Sequence, residues 1–229
     1  MAMLSPSIMC ADLLNLEREI EILERVGVEF FHVDVMDGHF VRNFGLCYDL
    51  VRAVKGITAV PLDVHLAVDN PAFHARLAAE AGADIVTFHP ETAEDVAGVV
   101  GEIRARGKRA CFAVSPDFPL ETLYPMLASP DRRADFLNLL MVKPGFAGQT
   151  LIPPTKEKLL RLKEELRSRG EDIPVMVDGN VSFENIPWMV EYGADVLILG
   201  TSSLFRKGLP LEEGLASIRS LVRRHRKNA

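Results

Sequence analysis

The chain has 229 residues, 48% hydrophobic and 25% charged, which suits one large α/β domain with a substantial core. Its net charge of −6 argues against nucleic-acid and membrane-surface partners, and the single basic run, Arg223 to Lys227, reads as a solvated helix end. Cys10, Cys47 and Cys111 form no close pair, which excludes a disulfide framework or zinc ribbon, and with no charged leader or long apolar stretch the chain reads as cytoplasmic.

Short apolar runs alternate with longer amphipathic ones along the chain. The first candidate strand is Met3–Ile8, followed by a helix pattern over Asp12–Val26 in which Leu13, Leu16, Ile20, Leu23 and Val26 fall near helical spacing. Gly27 stops that helix, and Gly82, Gly107, Gly170 and Gly193 close later ones. Further strands are expected at Phe30–Val35, Val60–Leu66, Ile85–Phe88, Arg109–Val114, Phe136–Val142, Val175–Val177 and Val196–Leu199. Pro71 and Pro154 stand near helix starts, where a missing N–H costs little. Eight strands, most followed by a helix pattern and with no linker between them, predict a single (β/α)8 TIM barrel over residues 1–229. An open, doubly wound sheet is the alternative.

A barrel places its active site at the C-terminal ends of its strands and in the loops that follow. Ser7, His32, Asp34, Met36, His65, Met141 and Asp178 all fall there. His32 and Asp34, two apart in one strand, share a face, with Met36 beyond them. Any one of these polar residues has an ordinary explanation, since a lone inward His is commonly a hydrogen-bonded core residue and Asp178-Gly179 would pass as a turn. Two imidazoles and two carboxylates at strand ends of one barrel are harder to explain separately. They make a donor set suited to a divalent transition metal, whether zinc, manganese, iron or cobalt. His89, beside Pro90 and Glu91, could line the mouth or cap a helix. Cys10 has no adjacent His and reads as packing. The loop from Asp37-Gly38-His39 is expected to cover the site.

The segments LSPSIMCADL, FHVDVMDGHFV, LDVHL, GADIVTFHPE, VKPGFAGQ, VDGNV and GADVLILGTSSLF resemble the ribulose-phosphate 3-epimerase family in order and spacing, from about residue 4 to residue 206. The resemblance implies a barrel of the ribulose-phosphate-binding type that inverts carbon 3 of a phosphorylated ketose with one divalent metal ion, often as a homo-oligomer. Matched by motif, His32, Asp34, His65 and Asp178 would hold the metal, and Asp34 and Asp178 would also be the acid/base pair. Ser7 would contact the substrate hydroxyls or carbonyl end, His65 would face the sugar, and Met36 and Met141 would pack sulfur over the reacting carbons. Gly145, Phe146, Ala147 and Gly148, then Gly179 and Asn180, then Gly200, Thr201 and Ser202 would cradle the phosphate. In that last loop a short helical turn, Ser203–Phe205, is expected to point its N-terminus at the anion.

This chain departs from the family pattern at several positions. Ala67 replaces a usual methionine, Arg42 a proline, Lys143 an asparagine and Asn180 a glycine. SIMC, GFAGQ with Ile152-Pro153, and GTSSLF are closer to an allulose-6-phosphate 3-epimerase branch, and Ala67 would open the mouth for a hexulose. Two other functions compete. A decarboxylase or aldol-type barrel lyase would carry lysine where His65 stands, and a silent sugar-phosphate sensor would have lost one of the four metal and proton-transfer residues.

Overall fold

The computed structural model of the chain describes residues 1–226, so Lys227 of the basic run lies outside the described residues. Arg223 and Arg224 are exposed near the end of the last helix. Eight parallel strands form one sheet: β1 (Met3–Pro6), β2 (Phe31–Met36), β3 (Leu62–Ala67), β4 (Ile85–Phe88), β5 (Arg109–Val114), β6 (Phe136–Leu140), β7 (Val175–Asp178) and β8 (Val196–Leu199). Their order runs β1-β8-β7-β6-β5-β4-β3-β2. A parallel bridge between Ser7 and His32 brings the two ends together, so the sheet closes into a barrel. An outer ring follows the strands in alternation: α1 (Leu16–Arg25), α2 (Tyr48–Ile57), α3 (Pro71–Ala81), α4 (Val96–Arg104), α5 (Leu120–Leu127), α6 (Pro154–Ser168), α7 (Ile186–Glu191) and α8 (Leu211–Arg226). This is the (β/α)8 architecture expected from the sequence. No described helix is long and apolar enough to cross a membrane.

The strands are buried on both faces, which is why they read as continuous apolar runs rather than alternating ones. Residues such as Leu4, Val33, Val64, Phe112, Leu139 and Val177 point outward and meet the helices in the main core. The opposite parity points inward. At the bottom of the barrel Phe30, Ile85, Cys111, Phe136, Met176, Val196 and Ile198 form a separate apolar plug, with Phe30 and Phe136 edge to face at 6.3 Å. Two residues further along β2, β4 and β6 the inward set turns polar, with His32, Thr87 and Asn138 joined by Asp63 of β3, all fully buried. That layer is the floor of the site.

Strands β1 and β6 end at Pro6 and Leu140, short of the expected Ile8 and Val142, and two helical elements differ as well. α1 begins at Leu16 rather than Asp12, because the Asp12 carboxylate accepts from the Leu14 N–H at 3.1 Å and the Asn15 amide at 2.7 Å. That local turn competes with the first helical turn and leaves Leu13 and Leu14 exposed. Residues 203–205 form no regular helix; the Ser203 and Phe205 N–H groups both bond the Gly200 carbonyl at 3.2 Å in a compact turn. A helix dipole is therefore absent there, and any anion would have to be held by individual N–H groups. The glycine stops at 27, 82, 107, 170 and 193 all adopt positive φ, and Pro71 and Pro154 open their helices.

Candidate active site

At the C-terminal mouth the inward positions of β2, β3 and β7 converge. One ligand atom each from His32, Asp34, His65 and Asp178 lies within 4.8 Å of all the others. The strand period and the register set this arrangement: Asp34 pairs with His65 across β2 and β3, and His32 sits one layer below Asp34 on the same face. The Asp34 carboxylate is the hub. Its Oδ1 lies 3.2 Å from His32 Nε2 and 3.2 Å from His65 Nδ1, and its Oδ2 accepts the Ser7 hydroxyl at 2.9 Å. Asp178 Oδ2 is 3.9 Å from His32 Nε2.

Electrostatics split the two carboxylates. Burial alone would raise Asp34, but the charge and hydrogen bonds of His32 and His65 outweigh it and hold the carboxyl well below its usual range. Asp178 moves the other way, raised by burial and by the charge of Asp34 against the opposing pull of His32. Burial would lower His32, yet Asp34 and Asp63 hold it well above the ordinary imidazole value. A buried site with three carboxylates around two imidazoles calls for positive charge, and hard oxygen donors beside imidazole nitrogens fit a divalent cation. The residues present fit one metal ion.

The cavity above this cluster is lined by Ser7, Met9, Cys10, Met36, Ala67, Leu140 and Val142, and by the loops that follow β6, β7 and β8. Gly145, Phe146, Ala147, Gly148, Gly179, Asn180, Gly200, Thr201 and Ser202 all lie on its wall. Asn180 adopts φ +49°, a left-handed conformation, and braces two loops: its amide donates to the Gln149 carbonyl at 2.8 Å and its Oδ1 accepts from Asn185 at 2.7 Å. Gly179 has φ +99°, and a Cβ there would meet Val142 at 2.6 Å, so only glycine fits. The loop after β2 crosses the mouth, where Asn43 donates to the Gly145 carbonyl at 2.7 Å.

Structure and sequence part at three points. Met141 does not line the cavity: it shares the outward parity of Leu137 and Leu139 and is fully buried against the helices, while Leu140 takes the place over the site. Ala67 leaves no wide opening; it is 1% exposed and packs with Met36 and Val41 beneath Met9 and Phe40. His89 does not line the cavity; it stands at the N-cap of a short 3-10 turn, Pro90–Thr92, where its carbonyl accepts the Thr92 N–H at 3.1 Å. It is fully buried, its Nε2 lies 3.0 Å from His65 Nε2, and its side chain makes no cap bond. Cys10 reaches the cavity wall, where burial and then Asp34 push its thiol up to about 11, so it stays protonated.

Asp63 was not anticipated. It lies two residues before His65 on the same inward face, bonds His32 Nδ1 at 2.8 Å and accepts the Thr87 hydroxyl at 2.5 Å. The signal was the alternation in LDVHL, which gives Asp63 and His65 one parity.

Relatives bear on the same residues. A sequence profile of the Ribulose-phosphate 3 epimerase family matches residues 3–205. The chain is 35% identical over 207 residues to a ribulose-phosphate 3-epimerase of Methanocaldococcus jannaschii, covering 90% of this chain and 86% of that one. To one from Bacillus subtilis it is 34% identical, covering 88% and 92%. Among solved structures, KGPDC from Streptococcus mutans superposes with a TM-score of 0.75 at 13% identity, covering 98% of each chain. A 3-hexulose-6-phosphate synthase from Salmonella typhimurium gives 0.66 at 20%, covering 97% and 99%. At such identities these two structures speak for the shared barrel alone. The profile and the relatives at about a third identity go further: the chain belongs to the ribulose-phosphate 3-epimerase family, a family of isomerases acting on carbohydrates.

Proposed function

We propose that the chain interconverts D-ribulose 5-phosphate and D-xylulose 5-phosphate by proton transfer at carbon 3, as a single catalytic barrel. The observation that carries this is the convergence of His32, Asp34, His65 and Asp178 within 4.8 Å under a cavity walled by three glycine-bearing loops. These four residues would hold one divalent ion, of zinc, manganese, iron or cobalt type, which when bound supplies Lewis-acid stabilisation of negative charge on the substrate oxygens.

The chain's own groups do the rest. Removing the proton next to the ketone gives a flat enediolate, and the return of a proton to the other face inverts the centre. One base serves both faces poorly, so two carboxylates are needed, and Asp34 on β2 and Asp178 on β7 come from separated strands. One abstracts while the other donates, and the roles exchange in reverse. The Ser7 hydroxyl, 2.9 Å from Asp34, orients that carboxylate and can reach a substrate oxygen. Met36, Met9 and Leu140 give the mouth an apolar cover that excludes water. The phosphate would sit among the loops carrying Gly145 to Gly148, Gly179-Asn180 and Gly200 to Ser202.

The segments SIMC, GFAGQ with Ile152-Pro153, and GTSSLF support a second reading, the 3-epimerisation of D-allulose 6-phosphate to D-fructose 6-phosphate. A side-by-side assay of metal-loaded protein on both sugar phosphates decides between them. Faster turnover of the pentulose supports the first reading and faster turnover of the hexulose the second. Activity on neither, with no solvent deuterium entering carbon 3, would overturn both in favour of a sugar-phosphate sensor.

A further inference from the structure

His65 presents one nitrogen to the cluster and one away from it. Nδ1 faces Asp34 at 3.2 Å, and Nε2 lies 3.0 Å from His89 Nε2. The two rings are 26° from parallel with centroids 5.1 Å apart, so with nitrogens this close they meet edge to edge, as a hydrogen-bonded pair does. Two ring nitrogens at that distance share one hydrogen. Beyond His89 the contacts continue: Nδ1 is 3.1 Å from Ser115 Oγ and 3.3 Å from Glu91 Oε1, and the Ser115 hydroxyl donates to Glu91. The Lys158 ammonium fixes the far end by donating to the Ser115 and Pro116 carbonyls at 2.7 and 3.0 Å.

Only one direction of hydrogens satisfies every link while leaving a lone pair on His65 Nδ1. The His65 proton sits on Nε2 and is donated to His89 Nε2. The His89 proton then sits on Nδ1 and is donated to Ser115 Oγ and Glu91, and the Ser115 proton goes to Glu91. A carboxylate can only accept, so Glu91 at the end of the chain sets the direction for all of it. The Phe40 ring, 4.8 Å from that of His89, keeps the imidazole from swinging out.

We propose that His89, Ser115 and Glu91 are positioning residues that fix the His65 tautomer, so that His65 Nδ1 is the metal ligand and Nε2 carries the hydrogen. They act through His65 and touch neither substrate nor ion. The proposal rests on the metal reading of the previous section. Outer groups of this kind are generally worth about 10- to 100-fold in metal affinity.

The test has two parts that need no turnover. In nitrogen-15 histidine spectra of the zinc-loaded, unaltered protein, His65 should show a hydrogen on Nε2 and His89 one on Nδ1; a His65 that binds zinc through Nε2 would overturn the proposal. In the second part, cobalt affinity is measured by chelator competition for the unaltered protein, His89→Phe and His89→Gln. Phenylalanine keeps the packing against Phe40 but accepts no hydrogen, and should weaken binding by about 10- to 100-fold. Glutamine can accept through its amide oxygen and should recover part of that loss. Equal loss in both variants would show that an acceptor at this position does not matter and overturn the proposal, as would unchanged affinity in His89→Phe, which would leave ring packing as the role of His89. Failure of the unaltered chain to bind cobalt or zinc would overturn the metal centre and this proposal together.

Discussion

His32 and His65 approach the same oxygen of Asp34, each at 3.2 Å, yet their far nitrogens are supported in different ways. His32 Nδ1 meets a carboxylate directly. Asp63 lies 2.8 Å away, fully buried, with Thr87 donating to its other oxygen. His65 Nε2 reaches a carboxylate only through His89, which meets Glu91 both directly at 3.3 Å and by way of Ser115, and that path ends among partly exposed groups near the rim. The inner arm is short, dry and part of the barrel floor. The outer arm is long and built on the loops after β4 and β5. Disturbing the inner arm should therefore cost stability and site together, whereas the outer arm can be altered with the fold intact.

The largest expected effects lie where the arms meet. Asp34→Asn and Asp178→Asn should each reduce turnover by at least about 10²–10⁴-fold, the range of a lost general acid or base, in an epimerisation assay with metal present. Easy epimerisation by either variant would end the two-carboxylate mechanism.

Next comes Asp63→Ala, which leaves a buried imidazole N–H and a threonine hydroxyl unpaired. It should destabilise the protein by about 3–5 kcal/mol in urea unfolding, because removing one partner of a buried pair strands the other. A loss under 1 kcal/mol (on the order of a surface substitution) would mean that the arms are alike after all.

Thr87→Val and Ser115→Ala sharpen the contrast with one hydroxyl from each arm. The buried bond to Asp63 should be worth about 1.5–3 kcal/mol, as hydrogen bonds to charged groups are, and the rim bond to Glu91 less than about 1 kcal/mol because water competes for it.

The smallest effect concerns pH. Burial would raise the Glu91 carboxyl, but the His89 and Ser115 bonds hold it below its ordinary value of 4.5. A depressed carboxyl contributes stability that is present above pH 4.5 and lost as pH falls through the folded value. Glu91→Gln should flatten that acid limb in a series of melting temperatures below pH 5 (roughly the onset of carboxylate titration), and an unchanged limb would assign the acid sensitivity elsewhere.

The barrel was legible in the sequence because its strands are buried on both faces, and Ile85–Phe88, Arg109–Val114 and Val196–Leu199 begin and end where the apolar runs do. His32, Asp34 and His65 were legible through the two-residue period, which places them on one face before any fold is known. Counted from Phe136, the same period puts Leu140 and not Met141 on the inward face, and the strand ends at Leu140, short of the expected Val142. The arms behind the imidazoles were harder to see. Asp63 was written into LDVHL, but its partner His32 lies 31 residues away, and only the register of β2 against β3 brings them together. The outer arm depends on loop backbone that fixes Ser115 beside Glu91, and neither residue has a local pattern that announces it.

The barrel's seam adds one more consequence. β1 and β2 are the junction the sheet closes last in its order, held by the Ser7–His32 bridge and by the Ser7 hydroxyl on Asp34. The strand pair with the sparsest backbone ladder is thus joined by the residues of the site itself. A junction with few shared hydrogen bonds opens at lower cost than the rest of the sheet, so amide hydrogen exchange should be quickest there. Anything bound across Ser7, His32 and Asp34 acts as a clasp on that junction, and by mass action its affinity becomes resistance of the whole barrel to unravelling.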